Sequence, residues 1–261
     1  MMLKTFIDDR GVATLSLNRP EIHNAFNDEM IDKITSQFLS WEKNDLVRLV
    51  LIKGEGKSFC AGADLNWMKK MLDYSHAENI QDSKKLAKMF KVMNEFEKPL
   101  IGKIQGHALG GGSGILAVCD YVILMDRSKI GFTETRLGLV PAVISPYVLS
   151  KIGESYARAT FLSGKPFSAK KALEMGLAHQ VCSEDEIEKV TDQVIDDFLL
   201  AAPKAVKIAK KLIKNVIAMK NSKEDDLSFY TCEVIASQRI SAEGQEGMSA
   251  LLEKRKPVWV N

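Results

Sequence analysis

Residues 12–18 alternate along the chain, with Val12, Thr14 and Ser16 on one side and Ala13, Leu15 and Leu17 on the other. A period of two predicts a β-strand. Asn18-Arg19-Pro20 ends it, because proline restricts the residue before it and cannot donate to a ladder. The period then changes. Ile31, Ile34, Phe38 and Trp41 follow i, i+3, i+7, i+10, one face of a helix that Asn27 or Asp28 can cap. Residues 47–52 are a short apolar run rich in branched side chains, which predicts a buried strand. Residues 66–97 mix Lys, Glu, Met and Leu without proline and read as helical. Further strands are predicted at 100–104, 121–125 and 130–132, and the chain from about 153 onward reads as mainly helical. Strands alternating with helices imply an α/β fold with crossover connections.

Composition narrows the class. The 261 residues are 46% apolar and 27% charged, with 36 basic against 34 acidic side chains and a net charge of +2. Such a chain can bury enough apolar surface to offset the entropy of ordering, which excludes a disordered protein. The near balance of charge argues against a dedicated nucleic-acid or membrane-surface binder. No apolar run reaches the roughly 18 residues of a spanning helix, and the opening MMLKTFIDDRG lacks the apolar core of a secretory signal. Cys60, Cys119, Cys182 and Cys232 stand far apart with no CxxC spacing, which predicts neither zinc nor a disulfide frame. A cytoplasmic protein is expected.

One stretch bears on a different function. Residues 204–220 hold six lysines and no acid, and Lys204, Lys207, Lys211 and Lys214 fall on one helical face. RNA binding through this stretch is the alternative from another class. A solvated face opposite Ala205, Ile208 and Leu212 explains the same spacing without a partner, and no stacking aromatics interleave the lysines.

Candidate chemistry lies in two glycine loops that each stand where a strand hands over to a helix, Ala61-Gly62-Ala63-Asp64 and Gly110-Gly111-Gly112. Loops of this kind aim unpaired N–H groups at negative charge. Converging on one carbonyl oxygen, they would form an oxyanion hole. Alone, a triple glycine reads as a tight turn. It is not a nucleotide loop, since GGGSG lacks the GK[ST] ending and no GxGxxG spacing is present. Ser113 has no GxSxG elbow around it. His23, His76 and His179 have no ligand spacing, so no metal site is expected. His107 and Cys60 read as packing residues, and Ser145 and Tyr147 read equally as acyl-pocket lining or helix packing.

Five segments in register carry a resemblance. Asn18-Arg19-Pro20 with Asn24-Ala25, FCAGAD at 59–64, ALGGG at 108–112, Cys119-Asp120, and GFTETRLGL at 131–139 with LSGKPFSAKKALEMGLAHQV at 162–181 are similar to the crotonase (enoyl-CoA hydratase/isomerase) superfamily. The likeness runs from about residue 3 to the C-terminus. It implies an α/β fold with a ββα spiral core over 1–200, carrying a CoA thioester site, and a C-terminal helical oligomerisation region over 201–261. It further implies a homotrimer, or a hexamer of two trimers, acting on an acyl-CoA thioester. No metal or redox cofactor is expected, CoA being part of the substrate, and neither a membrane nor a nucleic-acid partner.

By position, the resemblance maps two enolate-stabilising N–H donors onto Ala63 and Gly111. It maps a substrate-binding set onto Ala61, Ala63, Asp64, Leu65, Asn66, Gly110, Gly111 and Pro141. Hydratases of this family carry two glutamates, one shortly after the triple glycine and one twenty residues later. The second matches Glu134; the first position falls on Gly114. One carboxylate must then move a proton both ways or find another partner, and a buried Glu134 with a raised pKa suits that task. Gly114, TETRLGLVPA (133–142) and ISPYVL (144–149) resemble bacterial methylglutaconyl-CoA hydratase-like proteins. The expected reaction is addition of water across C2=C3 of a branched 2-enoyl-CoA such as 3-methylglutaconyl-CoA, in leucine or isoprenoid catabolism. A Δ3,Δ2-enoyl-CoA isomerase using one carboxylate is the enzymatic alternative. A distal substrate carboxylate calls for a cation, for which Lys69, Lys70, Lys84, Lys85, Lys88 and Arg136 are candidates.

Overall fold

A computed structural model describes residues 1–221 and 223–260. In chain order the elements are β1 (Leu3–Ile7), β2 (Val12–Leu17), α1 (Asp28–Glu42), β3 (Leu49–Gly54), α2 (Leu65–Met71), α3 (His76–Glu95), β4 (Leu100–Ile104), β5 (His107–Leu109), α4 (Gly111–Val118), β6 (Tyr121–Met125) and β7 (Lys129–Gly131). They continue as α5 (Ser145–Ser163), β8 (Phe167–Ser168), α6 (Ala169–Glu174), β9 (Gln180–Cys182), α7 (Ile187–Leu199), α8 (Pro203–Ala218), α9 (Glu224–Ile240) and α10 (Ala242–Leu252). Two compact units result. The first joins Met1–Phe96 to Leu100–Asp192; the second holds residues 97–99 and those from 193 onward.

The first unit contains two sheets. The larger has the order β1-β2-β3-β4-β6-β9 and is parallel apart from the β1–β2 hairpin. The smaller has the order β5-β7-β8, with β5 and β7 parallel. After β4 the chain crosses to the small sheet as β5, turns into α4 and returns as β6, then crosses again as β7. This strand–strand–helix repeat is the ββα spiral, and it sets α4 directly after a strand of the small sheet.

Local sequence explains the boundaries. Asn27 caps α1 by accepting the Met30 N–H at 2.9 Å, and Ile31, Ile34, Phe38 and Trp41 are all buried as the helical period requires. Phe38 meets Trp41 and Phe96 edge-on, with ring centroids 6.0 and 5.2 Å away. The stretch 66–97 is two helices, not one. Ser75 and Glu78 form a capping box in which the Ser75 N–H donates to Glu78 Oε2 at 2.8 Å, so a new helix starts at His76. The alternation in β2 has another origin than a wet face. All six residues are buried, including Thr14 and Ser16, so both faces of the strand are covered.

The second unit is helical. The carboxylate of Glu243, in the first turn of α10, accepts the Lys204 and Ala205 N–H groups at the start of α8, at 3.0 and 2.9 Å, where unpaired donors favour an anion. The Arg255 guanidinium grips Glu246 through two bonds of 2.6 and 2.8 Å. Helix α8 presents Lys204, Lys211 and Lys214 to solvent but buries none of its residues, and Ile213 and Ile217 are also exposed. Among the described residues, no helix is long and apolar enough to cross a membrane.

Candidate active site

The separation of Asn18-Arg19-Pro20 and Asn24-Ala25 from the FCAGAD loop is closed in space by a ladder of hydrogen bonds. Asn24 is fully buried in a left-handed conformation (φ 56°), and its Nδ2 donates to the carbonyls of Glu55 and Ser58 at 2.9 and 2.8 Å. Its Oδ1 accepts the Arg19 N–H at 2.7 Å. The Ala61 N–H donates to the His23 carbonyl, the Phe26 N–H to the Gly62 carbonyl, and the Asp64 N–H to the Phe26 carbonyl. Phe26 and Ala63 thus form a single parallel bridge. In such a bridge the flanking residues 62 and 64 make the bonds, and the N–H of Ala63 points to the other side.

The second loop is pinned to the first. Cys60 and Ala108 form another parallel bridge, with Cys60 N–H on His107 O at 3.0 Å and Leu109 N–H on Cys60 O at 2.9 Å. Gly110 then turns the chain at φ 51°, ψ −123°, a conformation that L side chains rarely adopt, and starts α4. Its N–H is spent on the Gly131 carbonyl at 2.8 Å, so the first unspent donor of the helix is Gly111. Among the described residues neither the Ala63 nor the Gly111 N–H has an acceptor. Ser113 is fully buried; its hydroxyl lies 2.5 Å from the Ala108 carbonyl and accepts the Gly131 N–H at 3.1 Å. It is a strut beneath α4 and presents no free nucleophile. Cys60 is equally inert, since burial pushes its thiol up to about 12.

Glu134 enters this site from the small sheet. Phe132, just after β7, packs edge-on against Phe161 at 5.1 Å, and a short 3₁₀ turn over Glu134–Leu137 follows. Thr135 Oγ1 donates to the Phe161 carbonyl at 2.7 Å and Arg136 Nε to the Ser163 carbonyl at 3.2 Å, which fixes the turn on α5. Glu134 Oε1 lies 3.4 Å from where a Cβ on Gly110 would stand, and the Cα of Gly62 lies 3.9 Å from the same point. Its Oε2 is buried with no hydrogen-bond partner among the described residues. Burial pushes the carboxyl above its ordinary value, and its own backbone N–H offsets only part of that.

The sequence matches the enoyl-CoA hydratase/isomerase family over residues 8–261. The chain belongs to that family. It is similar to the solved structure of an enoyl-CoA hydratase from Shewanella pealeana, at 35% identity and a TM-score of 0.94, over 99% of this chain and 96% of the other. It is 30% identical to the short-chain-enoyl-CoA hydratase of Clostridium acetobutylicum over 94% of this chain and 92% of that protein. It is 29% identical to the trans-2-decenoyl-[acyl-carrier-protein] isomerase of Streptococcus mutans, over 95% and 94%. The fold is the crotonase fold that the resemblance implied.

Within this member of the enoyl-CoA hydratase/isomerase family, the site expected from the sequence is brought together around Ala61, Gly62 and Ala63, Gly110 and Gly111, and Glu134. Leu65 and Asn66 are exposed at the start of α2, and Pro141 is buried ahead of α5. The Asp64 carboxylate caps α2 by accepting the Asn66 N–H at 2.8 Å and receives Arg19 Nη2 at 2.7 Å. Of the candidate cations, Lys85 is paired with Asp32 at 3.6 Å and Arg136 donates to Ser163. Lys69, Lys70, Lys84 and Lys88 are the exposed lysines that remain.

Two features had no signal in the residue patterns. One is the Arg19–Asp64 pair, 45 positions apart. The other is what fills the space over Gly114. A Cβ there would run into Ile144 Cγ2 and stand 2.9 Å from Phe90 Cζ, both fully or almost fully buried. The space over Gly114 is therefore occupied by apolar side chains from α3 and the loop before α5. Gly114→Glu is expected to destabilise the chain by about 1–3 kcal/mol through overpacking. Denaturant titration measures this, and a midpoint equal to wild type would show that the space is open.

Proposed function

We propose that this chain adds water across C2=C3 of a 2-enoyl-CoA to give the 3-hydroxyacyl-CoA. The observation that carries the reading is the half-buried Glu134, next to two loops, with its Oε2 and the Ala63 and Gly111 N–H groups all without a partner among the described residues. The two N–H groups bind the thioester oxygen, where negative charge grows as the enolate forms. One such donor is worth about 2.7–4 kcal/mol of barrier. Glu134, as carboxylate, takes a proton from water while the water oxygen bonds to C3. The same carboxyl then delivers its proton to C2, so that one water molecule supplies both the hydroxyl and the hydrogen. A carboxyl with a raised pKa is suited to both directions of transfer.

The finer reading is a branched substrate of the 3-methylglutaconyl-CoA kind. It is supported by Gly114 and the ISPYVL segment, whose Ile144 closes the space over that glycine. The exposed lysines of α2 and α3 are the candidates for its distal carboxylate. A homotrimer or hexamer belongs to the same reading and is supported by Ile213, Ile217, Phe229 and Ile240, which the second unit leaves exposed.

A second reading, Δ3,Δ2-isomerisation, is favoured by the same filled space, because shuttling one proton between C2 and C4 needs one carboxylate only. A single assay separates them. Purified protein is offered crotonyl-, 3-methylcrotonyl-, 3-methylglutaconyl- and trans-3-hexenoyl-CoA, with products followed by mass and chromatography. Gain of one water on 3-methylglutaconyl-CoA is the expected result. Conversion of 3-hexenoyl-CoA without change of mass, and no hydration of the others, would replace the hydratase by the isomerase.

A further inference from the structure

We propose that Arg19 and Asp64 form a part-buried brace that positions the Ala63 N–H for the developing enolate, making Arg19 a positioning residue of the reaction. The inference rests on the oxyanion role given above to Ala63. Arg19 grips both sides of the Phe26–Ala63 bridge at once. Its Nη2 meets Asp64 Oδ2 at 2.7 Å and its Nη1 donates to the Ala25 carbonyl at 3.0 Å. The side chains are 16% and 6% exposed, so water screens the pair weakly. The remaining oxygen of Asp64 caps α2 through the Asn66 N–H at 2.8 Å.

Ala63 therefore stands between two fixed neighbours. Ahead of it, the Gly62 carbonyl accepts the Phe26 N–H at 2.7 Å, in the same peptide plane that carries the Ala63 N–H. Behind it, the Asp64 N–H is held by the Phe26 carbonyl at 2.7 Å while the Asp64 side chain is held by Arg19. The backbone bonds fix the spacing of the two strands. The guanidinium fork, planar and two-pronged, fixes their tilt. Burial alone would raise the Asp64 carboxyl, yet the bond and charge of Arg19, with the Asn66 and Trp67 N–H groups, hold it below its ordinary value. The carboxylate is thus held in its charged form at neutral pH, where it pairs with Arg19.

The test compares Arg19→Lys, which keeps the charge and loses the fork, with the double variant Arg19→Gln/Asp64→Asn, which leaves no unpaired buried charge. Turnover of the best enoyl-CoA is measured per folded molecule, with folding followed by circular dichroism. Binding of acetoacetyl-CoA, whose enolate form absorbs in the near ultraviolet, is compared with binding of CoA alone, which has no thioester oxygen. A displaced N–H donor is expected to cost about 10- to 100-fold in kcat with KM within about threefold, in both variants. The preference for the enolate over CoA should fall in the same proportion. The brace is refuted if folded variants keep the wild-type kcat and enolate preference and lose only melting temperature, or if CoA and enolate weaken equally. A wild type that turns over no enoyl-CoA removes the hydration reading, while the enolate-to-CoA ratio of the variants still decides on the brace.

Discussion

Glu134→Gln is expected to lower kcat by about 10²–10⁴-fold and to leave KM within a few-fold. The amide has the size of the carboxylate but can neither accept a proton from water nor return one to C2. Gly114 has no side chain, and Ile144 and Phe90 fill the space over it, so no second acid at that position can stand in. The substitution leaves the Ala63 and Gly111 N–H groups in place, so the loss is expected in kcat. A folded variant retaining a tenth of the wild-type kcat would remove Glu134 from the chemistry.

The pKa of the same residue links activity to stability. Burial raises the Glu134 carboxyl above 4.5, so the acid limb of kcat should lie above an ordinary glutamate's. Activity rises with pH through that limb as the base ionises. Stability moves the other way. A carboxyl whose folded pKa is above its unfolded pKa contributes stability fully below the unfolded value and loses it as pH rises through the folded one. Above its raised pKa the wild type holds a desolvated charge that Glu134→Gln lacks. The variant should therefore melt higher in that range, and its advantage should close as pH falls through the raised pKa. Thermal melts from about pH 4 to about pH 8 read this directly, and a variant that melts lower throughout would mean that Glu134 is satisfied in the fold.

The residues that make this site differ in how well the chain announces them. The helical face of α1 is plain in the sequence and its cap is narrowed there to Asn27 or Asp28, because such signals are local; the structure selects Asn27. The two glycine loops and Glu134 could be named because motif residues stand in family register; no local pattern says that Gly62, Gly110 and Glu134 meet. Breaking 66–97 into α2 and α3 was signalled by Ser75 and Glu78, a capping box inside an otherwise helical composition. The polar residues of β2 announce a strand but not how deeply it is buried. Thr14 and Ser16 are small enough to be buried, so alternation in chemistry was not alternation in exposure. The Arg19–Asp64 pair and the cover over Gly114 were invisible for a common reason. Each depends on side chains brought together by the crossing of the ββα spiral, and such contacts carry no period along the chain.

Gly112→Ala should have the second large effect, and through the distance between the two loops. An added Cβ would lie 2.6 Å from the Cys60 carbonyl oxygen and 2.9 Å from the Cys60 Cβ. Neither can retreat. Cys60 is fully buried and is bonded on both sides to the strand that precedes α4, through His107 and Leu109. The first turn of α4 must therefore lift from the FCAGAD loop, carrying the Gly111 N–H away from that of Ala63. Overpacking of this kind costs about 1–3 kcal/mol of stability. Loss of one donor from an oxyanion hole costs about 10²–10³-fold in kcat. Because CoA alone has no thioester oxygen for the two N–H groups to bind, its affinity should hold while enolate binding falls. Adding Cys60→Gly removes the side-chain half of the clash but not the carbonyl, so kcat should recover in part and not in full. Full recovery would place the clash on the cysteine side chain alone, and an unchanged kcat in the folded Gly112→Ala protein would separate the loop spacing from the chemistry.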